Sequence, residues 1–241
     1  MARAERAPRA SGLRTERRAG SRRKPPAPTV ILFVRHGSTA TTGKELPGRA
    51  SGLHLSDAGR AQAESVAARI AAMASGNGRQ RRSVAAVYSS PLERTRETAA
   101  PIADATGCQV QVDDGLLELD IGDWTGLELK AARKLPEWAT IQRYPSGFTF
   151  PGGESFVDMQ ARIVACVERV RSAHPGETVV SVSHADPIRA AVAHAMGTHL
   201  DLFQRVVISP CSLTAVAYGH GGPMVLAVNS SADIGAALVP S

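Results

Sequence analysis

The sequence predicts an α/β chain: an open, mostly parallel sheet in three layers, with helices on both faces. Two observations predict it. Short segments that are apolar throughout alternate with longer ones that are apolar every third or fourth residue. The short segments lack the in–out alternation of a strand with one wet face, so both of their faces are buried. A third observation limits the size. With 241 residues and 43% hydrophobic content, the chain suits one domain with a sizeable core.

The elements follow in order. Thr29–Val34 is apolar and reads as the first strand. Residues 38–55 are rich in Gly and Thr, without periodicity, and read as a loop. Ser56 is a good N-cap for a helix over 57–74, with Ala61, Val66, Ile70 and Met73 on its apolar face. Gly76-Asn77-Gly78 ends it. Val84–Tyr88 is a second buried strand. Pro91 marks a helix start, and Gly107 stops that helix. Gln109–Val112 reads as a short strand. The stretch 113–152 is irregular and holds Trp124, Trp138, Tyr144, Phe148 and Phe150, half of the chain's ten aromatics. A helix over 154–172 carries Phe156, Met159, Ile163, Val167 and Val170 at helical spacing. Thr178–Val182 is a strand and 187–197 a helix. Two strands, Ser212–Tyr218 and Met224–Val228, close the chain.

The net charge of +6 misrepresents the domain. Residues 1–28 hold nine Arg or Lys and two Glu, a charge of +7, which leaves −1 for the rest. Basic residues therefore do not mark a folded nucleic-acid-binding face. The tail has almost no large apolar residues and reads as disordered, with 29–235 as the folded domain. It has no apolar region of a secretory signal, but a transit peptide or an electrostatic arm fits its composition. No run reaches the length of a membrane span. Cys108, Cys166 and Cys211 show no CxxC pairing or zinc spacing, so they read as buried thiols of a cytoplasmic protein.

Chemistry gathers at four places, three of which follow strands. Ligands of such sheets sit outside the carboxyl ends of the strands. Arg35-His36-Gly37 stands at such an end. A glycine there permits a sharp turn and close ligand approach, Arg35 offers a phosphate-matching fork, and a neutral His36 could attack phosphorus or bind a metal. A core histidine beside a surface arginine explains the triplet equally well. In "YSSPLERTRETA", Ser89 and Ser90 lie near a helix N-terminus, a natural anion site. Arg94 can reach back to the strand ends, while Arg96 reads as a solvated residue. In "LLELDIGDWTG", Glu118, Asp120 and Asp123 lie in irregular chain, and one acid in a partly apolar pocket can be kept protonated. In "VVSVSHADPIRA", His184 follows a strand and Pro187 begins a helix, with Asp186 read as its N-cap. Two histidines so placed are far less expected by chance than one. The other five, His54, His174, His194, His199 and His220, read as surface or structural.

Two imidazoles, two arginines and a carboxylic acid at one crevice suit a phosphoryl group. "VRHGST", "YSSPLERTRETA", "LLELDIGDWTGL", "PGGES" and "SVSHADPIRA" together resemble the histidine phosphatase superfamily, the phosphoglycerate-mutase-like proteins. The motifs span about 30–190 and are specific in combination. The resemblance implies His36 as the nucleophile that becomes phosphohistidine. It implies Arg35, Arg94 and His184 as the phosphate pocket and Glu118 as the acid–base carboxylate, with Asp120 as fallback. It implies no metal and no cofactor, and a small-molecule phosphoester as substrate. Many relatives carry Asn where this chain has Thr42, so that phosphate contact is either weakened or replaced by the Thr42 hydroxyl. Hydrolysis is the expected reaction. A phosphomutase is the alternative, and a non-catalytic phospho-ligand binder is a third reading. A homodimer is possible, and no partner of nucleic acid or membrane type is expected.

Overall fold

The computed structural model describes residues 26–75 and 82–231. Residues 1–25 of the basic tail and the Gly76-Asn77-Gly78 helix stop lie outside the described residues. Strands β1 (Thr29–Arg35), β3 (Val84–Ser89), β4 (Val110–Val112), β6 (Thr178–Ser183), β7 (Leu213–Gly219) and β8 (Gly222–Ser230) form one sheet. Its order is β4-β3-β6-β1-β7-β8. The pairs β4–β3, β3–β6 and β6–β1 are parallel, and the last two pairs are antiparallel. The mostly parallel α/β reading therefore holds.

β1 shows why the strand reads as apolar throughout. Ile31 and Phe33 enter one core, with α5 (Phe156–Ala173) and α6 (Ala185–Met196). Val30, Leu32 and Val34 enter the other, with α1 (Asp57–Ser75) and α2 (Glu93–Thr106). Successive side chains point to opposite faces, so a strand covered on both sides needs apolar residues at every position. All five are at most 6% exposed, and each such side chain stabilises the fold by about 1.5–3 kcal/mol.

The helices carry the expected signals with local differences. Ser56 Oγ accepts from the Gly59 N–H at 3.1 Å, as an N-cap should. The buried face of α1 is Gly59, Ala63, Val66, Ala67 and Ile70, whereas Ala61 is exposed and Met73 only partly buried. Gly107 closes α2 with φ of 70°. Pro91 does not open α2, which begins at Glu93 after Leu92 at the cap position. Asp186 does not cap α6 either. His184 occupies that position, and Asp186 pairs with Arg189 at 3.0 Å. The loop over 38–55 contains a short strand, β2 (Glu45–Leu46), paired with β5 (Leu127–Glu128). The irregular stretch 113–152 also holds α3 (Leu129–Ala132), α4 (Glu137–Arg143) and three single 3-10 turns. Its aromatics pack edge-on, with Trp124 and Phe150 ring centres 5.4 Å apart and Phe148 and Phe150 5.0 Å apart.

Candidate active site

Three adjacent parallel strands end side by side, and each is followed by a polar residue. β1 is followed by His36, β3 by Ser90 and β6 by His184. The backbone fixes their level: His36 N–H donates to Ser183 O at 2.9 Å and Ser90 N–H to Val182 O at 3.0 Å. The two imidazoles meet with ring centres 5.1 Å apart.

Both rings are buried, His36 at 6% exposure and His184 at 0%. Burial pushes the His36 pKa well below its ordinary value, and the nearby Arg35 and Arg94 charges push it the same way. Burial also lowers His184, with His36, Arg94 and Arg35 adding to it. Both are therefore neutral at pH 7. His36 Nδ1 lies 2.8 Å from the carbonyl oxygen of Gly37, which can only accept. The ring proton is accordingly on Nδ1, and the lone pair is on Nε2, where a nucleophile needs it.

Gly37 has a different purpose from the one its motif suggests. A Cβ there would come within 2.5 Å of the Gly59 carbonyl oxygen, and a Cβ at Gly59 within 2.0 Å of Ser38 O. Gly37 lets the chain after β1 lie directly against the first turn of α1. Its φ is not positive, so no sharp turn demands it. Its N–H goes to Thr98 Oγ1 at 3.0 Å, which ties α2 to the same junction.

Arg94 is 0% exposed and reaches back as expected, donating to Gly48 O at 2.7 Å and Ala50 O at 3.3 Å. Arg96 is exposed. Arg35 donates to Ile208 O at 2.7 Å. Ser89 Oγ donates to Ser90 O and is thereby withdrawn from any anion site. Ser90 Oγ lies 2.9 Å from His184 Nε2. Five buried side-chain polar atoms lack a partner among the described residues, and three belong here: Arg35 Nε, Arg94 Nε and His184 Nδ1. Native interiors rarely leave such groups unsatisfied, and an anionic ligand could satisfy the two arginine donors.

Glu118 faces His184, with Oε2 3.9 Å from Nδ1. With His184 neutral, this contact is neither an ion pair nor a hydrogen bond. Burial, and next the negative Asp186, raise the Glu118 carboxyl to about 7, against opposing effects of the Leu119 N–H, Arg94 and Arg35. Asp120 is turned elsewhere: Oδ1 accepts from Gly122 N–H at 3.1 Å, and Oδ2 meets Arg49 at 3.5 Å. Thr42 braces the turn after β1. Its hydroxyl accepts from Thr39 N–H at 2.8 Å and lies 3.1 Å from Thr39 Oγ1.

Sequence reasoning missed a group that holds Glu118 in place. Arg49 Nε and Arg162 Nη2 donate to the Glu118 carbonyl at 2.9 and 3.3 Å. Both arginines also grip Glu154, at 2.8 and 2.7 Å. Glu154 further accepts from the Asp120 N–H at 3.0 Å. The only hint in the sequence is Glu154 within "PGGES". Ser90 as the partner of His184 was equally invisible, since the two lie 94 residues apart. Among the described residues, no group of three or more His, Cys, Asp or Glu is arranged to hold a metal ion. No described helix is long and apolar enough to cross a membrane.

Comparison with known proteins gives the family. The chain is 34% identical over 206 residues to the Bifunctional protein Rv2228c of Mycobacterium tuberculosis, covering 85% of this chain and 54% of that protein. It therefore spans about half the length of that relative. It is 30% identical to Phosphoserine phosphatase 1 of Hydrogenobacter thermophilus, with 85% of this chain and 94% of that one covered. Among solved structures, the mycobacterial glucosyl-3-phosphoglycerate phosphatase Rv2419c in complex with VO3 superposes with a TM-score of 0.73 at 25% identity. That match covers 84% of this chain and 99% of the other. The profile of the histidine phosphatase superfamily, branch 1, matches residues 31–231. Two neutral histidines on neighbouring strands, ringed by unsatisfied cationic donors, are thus the centre of a chain that belongs to the histidine phosphatase superfamily.

Proposed function

We propose that the chain is a phosphomonoesterase that works through a phosphohistidine on His36, with 29–235 as the catalytic unit. The observation that carries this reading is the trio of buried, unpartnered donors on Arg35, Arg94 and His184 around a neutral imidazole. His36 Nε2 attacks phosphorus and the bond to the ester oxygen breaks. Glu118, protonated because its pKa is raised to about 7, gives its proton to that oxygen. The carboxylate then takes a proton from water, the hydroxide attacks phosphorus, and the P–Nε2 bond breaks to free phosphate. Glu118 ends protonated, as it began. Arg35 and Arg94 supply charge stabilisation at the phosphoryl oxygens.

We assign His184 the Nδ1–H tautomer, with the Ser90 hydroxyl donating to Nε2. Its Nδ1–H is then a neutral donor to the phosphoryl group. Thr42 can add a contact to the phosphoryl group only through its own O–H, because phosphoryl oxygens only accept. The alcohol that leaves is a small-molecule alcohol, as in the relatives named as phosphoserine and glucosyl-3-phosphoglycerate phosphatases.

Hydrolysis and mutase chemistry share the first step, so product identity decides between them. The test incubates wild type and His36→Ala with a panel of phosphoesters. Free phosphate and an acid-labile phosphoprotein in wild type only are expected. An isomeric phosphoester as product would replace the phosphatase by a mutase. Undiminished turnover in His36→Ala would overturn the phosphohistidine.

A further inference from the structure

A cavity of about 530 Å³ is lined by Arg35 and by residues next in sequence to the site, a size ordinary for a small-molecule site. Three of its wall residues, Arg35, Ala185 and Leu119, are the chain neighbours of His36, His184 and Glu118. Residues of the irregular stretch form much of its lining. Part of that lining is apolar: Ile121, Trp124, Trp138, Leu129, Ile141 and Phe150.

Beyond Arg35 the lining carries four charged residues, Glu45, Arg133, Asp186 and Arg189, and two glutamines, Gln142 and Gln204. Asp186 and Arg189 neutralise each other at 3.0 Å, and Arg189 Nε is taken up by Val206 O at 2.8 Å. Glu45 is partly buried, and Arg133 is exposed. A leaving group that carries both an ammonium and a carboxylate would lose its water against indole and isoleucine. Burying unpaired charge in that way is costly. An aryl or alkyl group would bury apolar surface at the same place.

Resting on the phosphatase reading above, we propose that this cavity is a leaving-group chamber. Its substrates are phosphomonoesters whose alcohol has an apolar alkyl or aryl body, in preference to amino-acid or sugar-acid phosphates. Trp138 and Leu129 are its specificity-determining residues. Both are only partly buried, so they can be changed with modest risk to folding.

Binding of methyl-, butyl- and hexylphosphonate, measured by calorimetry, tests the chamber without turnover. The expected result is affinity that rises about threefold to fourfold per added methylene. Trp138→Ala and, separately, Leu129→Ser are expected to flatten that dependence, with thermal melting used to verify that each variant is folded. In kinetics, hexyl phosphate is expected to exceed phosphoserine in kcat/KM by at least about tenfold. Affinity independent of chain length, or a preference for phosphoserine, would overturn the chamber and leave the phosphohistidine reading standing. Retained hydrolysis in His36→Ala would overturn that reading instead, while the phosphonate series would still judge the cavity.

Discussion

His36, Ser90 and His184 leave the ends of three neighbouring parallel strands, whereas Glu118 sits on a segment that belongs to no strand and no α-helix. The first group is held by backbone hydrogen bonds of the sheet and by a core on each face. The second is held by side chains: Arg49, Arg162 and Glu154 fasten the Glu118 carbonyl and the Asp120 N–H. The end that we propose holds the phosphoryl group is therefore positioned by the sheet and its two cores. The proposed acid end is positioned by one ion cluster. That division suits a family in which the phosphoryl group stays the same while the leaving alcohol changes. It also predicts that substitutions at the two ends will fail in different ways.

The largest effect is expected at the phosphate end. His36→Ala should lower turnover by at least about 10⁴-fold for every ester, since no second group can take the phosphoryl. Phosphate release assays check this, and a uniform loss is the signature of that end.

Glu118→Gln should lower turnover of alkyl phosphates by about 10²–10⁴-fold. It should spare p-nitrophenyl phosphate, whose leaving group needs no proton. The pH dependence follows from the same carboxyl. In the proposed mechanism Glu118 acts in its acid form, and its raised pKa, about 7, keeps it protonated up to that pH. Alkyl phosphate turnover should thus fall as pH rises through about 7. On the acid side it should hold until His36 protonates, well below pH 6.5, because the His36 pKa is lowered. With Glu118→Gln the alkaline fall should vanish. A fall that persists unchanged would remove Glu118 from the acid role.

Glu154→Gln tests whether the ion cluster positions the acid. Both arginine pairs weaken, Glu118 loses its fixed place, and alkyl phosphate turnover should drop by about 10-fold to 10²-fold. As with Glu118→Gln, p-nitrophenyl phosphate should suffer far less. An equal loss for both substrates would show a general structural role and erase the contrast between the two ends. The smallest effect is expected from Ser90→Ala, which removes one hydrogen bond to His184. About fivefold in kcat/KM for all esters corresponds to the ordinary worth of such a bond.

Much of this molecule was legible from residue order. β1 was readable because a doubly covered strand must be apolar at each position, and α5 because all five of its predicted core residues recur at helical spacing. The histidines were readable because two polar residues closed two apolar strands. The sequence alone thus determined the alternating α/β order, the strand ends that present His36 and His184, and the arginine in the first turn of α2.

Local rules were weaker at junctions. Pro91 and Asp186 both carry helix-start signals, yet the neighbouring Leu92 and His184 take the cap positions. Gly37 looked like room for a ligand and is room for α1, because its neighbour Gly59 comes from 22 positions further along. What tertiary structure alone decided is pairwise and distant. Ser90 finds His184 across 94 residues, Arg49 finds Glu154 across 105, and Arg49 finds the Glu118 carbonyl across 69. Periodicity reports which face of an element is buried. It holds no record of which polar side chain from another element arrives at that face, and that choice is made when the two sides of the sheet and the irregular stretch pack together.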